Sequence, residues 1–323
     1  MTVIMPLKNA SNYLSEAFRG LERIDFTGWE IIVVDDGSTD NTYELVNDWA
    51  GVPGVECHIL RHADSKGVAA ARNAAVEKAR GEFVWFVDGD DSWSSDIVSE
   101  LWAGRDSNAT DLVVCDAVRI VEATNHTSRI NDASSKAAIT GREALGRIFT
   151  GELQGHLWNK LVRTELLLRH PFPIMRAHSD LAGLINLLPY ARSVSFVPKA
   201  MYTYQVHEGS IIQSPQYKWD DLHKCADHAE ATVNLHAMNK EFHRKLRIFK
   251  ITHVLIPVAH DLISRKEKAI HRAPFYGDLV PSVIIGMLAS GRAILAAQSA
   301  MIRYLPGVYA TIYKTHLRRR WAK

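Results

Sequence analysis

Cysteine is scarce in this chain: Cys57, Cys115 and Cys225 are odd in number and widely spaced, which excludes a disulfide framework and a zinc-type C-x-x-C pair. No two glycines stand two positions apart, so the G-x-G-x-x-G turn of a dinucleotide-binding dehydrogenase is missing. The interval from Gly141 to Gly146 lacks the Lys-Ser or Lys-Thr that would make it a P-loop. No apolar run reaches about eighteen residues, since Pro281 and Arg292 break the best candidate, and no membrane-spanning helix is expected. Thr2 to Met5 follow Met1 directly, without a basic segment and a long apolar stretch, so no secretory signal is expected either. A reducing cytoplasm is the expected compartment, and the sequons at Asn108 and Asn125 are expected to be chance matches.

What remains is a chain of 323 residues, 47% hydrophobic and 23% charged, long enough for a large α/β domain with one appendage. The net charge of +2 conceals a division. Residues 1–217 hold 20 Lys+Arg against 28 Asp+Glu, net −8, whereas residues 218–323 hold 18 against 8, net +10. An acidic body thus carries a basic tail, and the tail is suited to an anionic partner such as a phospholipid surface or a phosphate-bearing polymer.

The runs Thr2–Met5, Glu30–Val34, Glu56–Leu60 and Phe83–Val87 read as strands. Between them lie helix-period faces: Leu14, Phe18 and Leu21; Leu45, Val46 and Trp49; Ala71, Ala75 and Ala79. Four strand-helix units in succession predict an α/β fold, Rossmann-like, with a mostly parallel sheet and helices on both faces. In such sheets ligands bind beyond the carboxyl ends of the strands, so the residues after each run are where chemistry is expected.

Two of those places are acidic. Asp35-Asp36-Gly37-Ser38-Thr39-Asp40 follows the second strand, and its last three residues read as the N-cap of the next helix. Asp88-Gly89-Asp90-Asp91 follows the fourth. Two unit charges ~5 Å apart repel by about 3 kcal/mol at an effective dielectric of about 20, so such a cluster calls for a counter-charge. With oxygen ligands throughout, a hard divalent cation, Mn²⁺ or Mg²⁺, is the natural choice, and a metal held by one or two carboxylates suits the clamping of a diphosphate.

Four blocks in this order, Pro6 after the first strand, Val33-Val34-Asp35-Asp36-Gly37-Ser38-Thr39-Asp40, Lys66-Gly67-Val68-Ala69-Ala70-Ala71-Arg72-Asn73 and Phe86-Val87-Asp88-Gly89-Asp90-Asp91, resemble the GT-A fold glycosyltransferases of family 2. The resemblance is close over residues 1–125 and looser to Ser214. It implies that Pro6 lies beside the nucleobase and that Asp36 accepts a hydrogen bond from a uracil-type base. Asp64, Arg72 and Gly89 would line the nucleotide-sugar pocket, Asp88 would touch the ribose or the metal, and Asp90 would ligate the metal directly, completing a DxD motif. Arg72 stays open to a second reading, a helix residue pairing with Asp36 or Asp88 for stability. Lys8 and Ser65 depart from the family's usual Tyr and Asn.

Farther along, residues 125–140 read as a polar loop over the site. Trp158-Asn159-Lys160 resembles the family's element on the acceptor side, where Lys160 would contact phosphate or else be a surface lysine on a short helix. His178-Ser179-Asp180 keeps the Asp that in relatives is the catalytic base, with Ser179 in place of a Glu; capping of the following helix is the other reading. His207, after Met201-Tyr202-Thr203-Tyr204, would reach the diphosphate or the metal, or simply be packed.

The expected function is inverting transfer of a hexosyl or N-acetylhexosaminyl group from a nucleotide-diphospho-sugar, a UDP-sugar, to a hydroxyl. The acceptor would be a cell-surface glycan, a teichoic-acid-like polymer or a lipid-linked molecule. A nucleotidyltransferase and a catalytically silent sugar-nucleotide-binding module are the alternatives. The expected division is a GT-A domain over residues 1–217, with a nucleotide-sugar half 1–125 and an acceptor half 126–217, then a basic helical region 218–323. That region is expected to touch the inner face of the membrane peripherally or to bind a polymer; no nucleic-acid partner is expected.

Overall fold

A computed structural model describes residues 1–25, 27–50, 56–133, 137–207, 220–265 and 270–321, with side chains as far as Thr315. Its contacts divide the chain into two compact units, Met1–Ile148 with Glu152–Pro215, and Phe149–Gly151 with Gln216–Lys323.

In the first unit β1 (Thr2–Leu7), α1 (Leu14–Glu22), β2 (Glu30–Asp36), α2 (Thr42–Ala50), β3 (Cys57–His62), α3 (Val68–Val76) and β4 (Phe83–Phe86) alternate as the apolar runs require. Their strands pair in parallel in the order β3-β2-β1-β4. Both faces of β1 are buried, which is why its sequence is a continuous apolar run rather than an alternation. Val3, Met5 and Leu7 join Ile31, Val33 and Trp85 in a core closed by Leu14, Phe18 and Leu21 of α1. Phe18 stacks on Trp49 of α2 at 4.3 Å. Each fully buried Leu, Ile, Val or Phe here contributes about 1.5–3 kcal/mol.

Beyond β4 the sheet becomes mixed. After β5 (Ser92–Trp93) and α4 (Ile97–Ala103) come β6 (Thr110–Val121), β7 (His126–Ile130), α5 (Gly141–Thr150), β8 (Lys160–Arg163), α6 (Thr164–Arg169), α7 (Ser179–Leu187) and β9 (Ser193–Val206). The path continues β4-β8-β6-β9-β5, with β7 on β6. Of these pairings only β6 with β9 is parallel. β8 runs antiparallel to β4 and β6, β7 to β6, and β5 to β9. The polar stretch expected as a loop is therefore partly strand: His126–Ile130 returns along β6 through a tight turn in which Asn125 takes a φ of 48°. Residues 134–136 of that stretch lie outside the described residues.

Strand direction decides which ends meet. With β4 pointing its carboxyl end at the upper rim, antiparallel β8 brings its amino end, Lys160, to the same rim. β6 and β9 then bring their carboxyl ends there, and β5 its amino end. One rim thereby collects Leu7, Asp36, Asp88–Asp91, Lys160 and His207.

The second unit is helical: α8 (Asp220–Leu235), α9 (Lys240–Lys250), α10 (Ile256–Ser264), α11 (Pro281–Ala289), α12 (Ala293–Tyr304) and α13 (Pro306–Trp321). A widened turn, Ile251–Leu255, joins α9 to α10. Leu246, Phe249, Val254 and Ile256 are buried, as their helical spacing requires. No described helix is long and apolar enough to cross a membrane.

Candidate active site

Pairing of β4 with β1 continues one residue past the strand, where Val87 N–H donates to the Ile4 carbonyl at 3.0 Å, and the chain then turns at Asp88–Asp91. A Cβ on Gly89 would come within 2.6 Å of Leu7 Cδ2, so a glycine lets this acidic turn sit directly on the end of β1.

The three carboxylates have different surroundings. Asp91 is buried and accepts from the Tyr202 hydroxyl and the Gln205 N–H, each at 2.8 Å. Burial, with the neighbouring Asp88 and Asp90, pushes its carboxyl up to about 9. Asp88 is also held above the ordinary carboxylate range, by burial first; Arg72 opposes this, while Asp90 and Asp180 add to it. Its side chain remains one-third exposed, and Asp90 equally so. Asp90 Oδ2 lies 2.8 Å from His207 Nε2, and His207 Nδ1 lies 3.3 Å from the Tyr13 hydroxyl. Asp91 therefore ties the turn to β9, whereas Asp88 and Asp90 keep oxygen donors at the opening. Their crowding and their all-oxygen chemistry fit a hard divalent cation.

A different acidic group, Glu30, Glu56 and His58, brings three ligand atoms within 4.8 Å of one another. It lies at the start of β2 and β3, the end of the sheet away from this rim, and Arg80 pairs with both glutamates there.

Arg72 rises from α3, buried, with Nη2 3.4 Å from Asp88 Oδ1. Among the described residues its Nε has no hydrogen-bond partner. Of its two expected carboxylate partners it has Asp88.

Asp36 is held by four protein partners. Its Oδ1 lies 2.6 Å from His62 Nδ1 and accepts from Lys66 N–H at 2.9 Å; its Oδ2 accepts from the Ser65 hydroxyl at 2.7 Å and Gly67 N–H at 2.8 Å. A carboxylate offers about four lone-pair positions, which these four contacts match in number. Burial would raise this carboxyl, but those partners outweigh it and hold it below the ordinary range. Asp36 clamps the loop that carries exposed Asp64, and Gly37 allows the approach: at φ 67° its Cβ position is 2.6 Å from Ser65 N. Half-buried Pro6, paired with Val34, stands on the same rim. Asp40 takes the capping role expected for its segment, accepting from Thr42 N–H at 3.1 Å and from Ser11 N–H at 3.2 Å.

Lys160 is not a surface lysine on a short helix: it opens β8 and is wholly buried. Its Nζ donates to Asn159 Oδ1 at 2.8 Å and to Asp132 Oδ2 at 3.4 Å. Burial pulls its ammonium below the ordinary lysine range, against the attraction of Asp132. That hydrogen bonding ties the ammonium to Asn159 and Asp132.

Asp180 stands in the first turn of α7, its Oδ1 accepting from Leu181 N–H at 2.8 Å. It lies close enough for its charge to be felt at Asp88, His156 and Lys160. An aromatic stack lies nearby, His156 on Trp158 at 4.8 Å and Trp158 on Tyr202 at 4.6 Å. The sequence assigns no individual role to Asp132, His156 or Tyr202. The aromatic strand around Tyr202 was a signal for one of them; Asp132, within the supposed loop, left none.

The family model described as "Glycosyl transferase family 2" matches residues 2–168. The chain belongs to that family. Among curated relatives this family-2 chain is 29% identical over 223 residues to the putative glycosyltransferase EpsH of Bacillus subtilis, covering 68% of its own length and 64% of that protein. Its fold is similar to Staphylococcus aureus TarS 1–349 in complex with UDP-GlcNAc, with a TM-score of 0.72 at 21% identity over 98% of this chain and 91% of that one. A mannosyltransferase from Pyrobaculum calidifontis in complex with GDP-Man and Mn²⁺ aligns over 100% of this chain and 87% of that one, at 18% identity and a TM-score of 0.55. The likeness to these structures is one of GT-A-like fold.

Proposed function

We propose that this family-2 protein is an inverting glycosyltransferase that moves a sugar from a nucleotide-diphospho-sugar, a UDP-sugar, to an acceptor hydroxyl. The observation that carries this reading is the pair of partly exposed carboxylates Asp88 and Asp90 in the turn after β4, with the buried Arg72 guanidinium 3.4 Å from Asp88. Asp90 and Asp88 would hold Mn²⁺ or Mg²⁺, which when bound supplies charge neutralisation on the departing diphosphate. Arg72, buried beside Asp88 with an unpartnered Nε, adds a fixed positive charge to the nucleotide side. Pro6, Asp64 and Gly89 line that side of the rim.

Asp180 is the proposed general base. It removes the proton from the acceptor hydroxyl as the oxygen attacks the anomeric carbon from the face opposite the diphosphate, which inverts that centre. Such help contributes about 10²–10⁴-fold to a rate. UDP and UDP-GlcNAc in the TarS structures support the donor class. TarS is described as a poly(ribitol-phosphate) beta-N-acetylglucosaminyltransferase, which supports an envelope glycan, teichoic-acid-like polymer or lipid-linked acceptor. The reading includes a catalytic domain over residues 1–217 and a basic C-terminal region that works on the cytoplasmic face of the membrane.

The test is sugar transfer from UDP-GlcNAc with Mn²⁺, measured beside UDP affinity by calorimetry. Asp180→Asn is expected to retain UDP binding and to lose transfer by at least about 10²-fold. Unchanged turnover removes Asp180 from the chemistry.

A further inference from the structure

Helices α11, α12 and α13 each bury one stripe and leave an apolar stripe on the other side. Val283, Ile284 and Met287 of α11, Ala296 and Ile302 of α12 and Tyr309 of α13 enter the helical unit's core. Opposite them, Ile285, Leu288, Ile294, Tyr304, Val308 and Ile312 are between 50% and 79% exposed. The spacing is helical: Ile285 and Leu288 are three apart, Ile294, Ala297 and Tyr304 fall on one side of α12 at intervals of three and seven, and Val308 and Ile312 are four apart. Apolar residues repeated at helical spacing along three successive, mutually packed helices are more than scattered exposed positions.

The charge of this segment is as one-sided as its surface. Residues 281–323 contain seven Lys+Arg and no Asp or Glu. Arg303 and Lys314 are exposed on the helices that carry the stripe.

We propose that the outer face of α11–α13 docks on an anionic lipid bilayer, lying in the headgroup layer. Apolar side chains with exclusively basic companions match a surface that is negative outside and apolar beneath. None of these helices is long and apolar enough to span, so the contact is an interfacial one. A second copy of the chain would bring two such basic segments together, and their repulsion opposes that pairing. A polyanionic glycan would engage the cations but leave Ile285, Leu288 and Ile294 in water. This goes beyond a basic tail near the membrane: the surface is a set of helix faces, with the α11–α12 hairpin as the apolar part.

The experiment is flotation of the full chain with phosphatidylcholine–phosphatidylglycerol vesicles, and with phosphatidylcholine vesicles alone. The chain is expected to float with the anionic vesicles only. The double variant Ile285→Ser with Ile294→Ser, both exposed and so compatible with folding, is expected to lose about tenfold or more in vesicle partition with an unchanged thermal melt. Arg303→Glu with Lys314→Glu is expected to lose binding as well. Three results overturn the proposal: no flotation with anionic vesicles; equal flotation of the wild type and the Ser variant, abolished by salt, as a polyanion-type surface would give; or a dimer in light scattering that the Ser variant dissociates. Flotation requires no turnover, so its outcome is independent of the proposed transfer chemistry.

Discussion

His207 Nε2 lies 2.8 Å from Asp90 Oδ2, a contact that joins the residue after β9 to the turn after β4 across 117 positions of sequence. The Tyr13 hydroxyl, 3.3 Å from the other ring nitrogen, holds the imidazole from behind. A carboxylate that ligates a metal works best when its orientation is set beforehand, and such supporting partners are typically worth about 10–100-fold in metal affinity. His207→Ala is therefore expected to weaken Mn²⁺ binding in the presence of UDP by about tenfold or more, measured by calorimetry. Unaltered affinity would return His207 to a packing role.

Asp36 gives a prediction that separates a structural role from a recognition role. Asp36→Ala leaves two backbone N–H groups and the partners His62 and Ser65 without their acceptor. Hydrogen bonds to charged groups are worth about 1.5–3 kcal/mol each, and the loop can relax, so a loss of about 3 kcal/mol is expected in urea unfolding. Discrimination between UDP and GDP is expected to change no more than overall affinity does. A selective loss of UDP binding at unchanged stability would restore the base contact.

Lys160 and Asp132 form a buried pair, and removing one member of such a pair typically costs about 3–5 kcal/mol because the other charge is stranded. Lys160→Met should therefore lower the denaturation midpoint sharply, and adding Asp132→Asn should recover part of the loss. If Lys160→Met instead spares stability and raises KM for the donor, the ammonium serves the phosphate after all.

Acid should loosen this fold through Asp36, Asp40 and Asp111. For each, burial alone would raise the carboxyl, but it is outweighed: by the four partners of Asp36, by hydrogen bonds from Thr42 and Ser11 to Asp40, and by Arg192 and Arg163 at Asp111. All three are held below the ordinary range, Asp40 from 3.8 to about 2. Their contribution is complete above the unfolded-state value and disappears as pH falls through the folded-state value. For Asp40 that window runs from about pH 4 to about pH 2, and a melt series across it should show falling Tm. Asp40→Asn should flatten its share of that slope. An unchanged Tm across the window would deny these carboxylates their part in stability.

The amino-acid sequence alone determined the parallel half of the sheet. Its first four strands are apolar runs with turn and helix signals between them, and burial on both faces leaves that pattern in the residues themselves. It also determined which turn carries the crowded acids, because Asp88, Asp90 and Asp91 are neighbours in the chain. Tertiary structure decided how those acids divide: Asp91 is bonded to Tyr202 and Gln205, whereas Asp90 meets His207, and no local signal ranks one aspartate above another. It decided too that Asp36 holds a loop and that Lys160 faces a buried Asp132, since the partners lie 26 to 31 and 28 residues away. A carboxylate or an ammonium takes whichever partner the fold brings within hydrogen-bonding reach, and that distance exists only once the strands, parallel at Asp36 and antiparallel at Lys160, have paired.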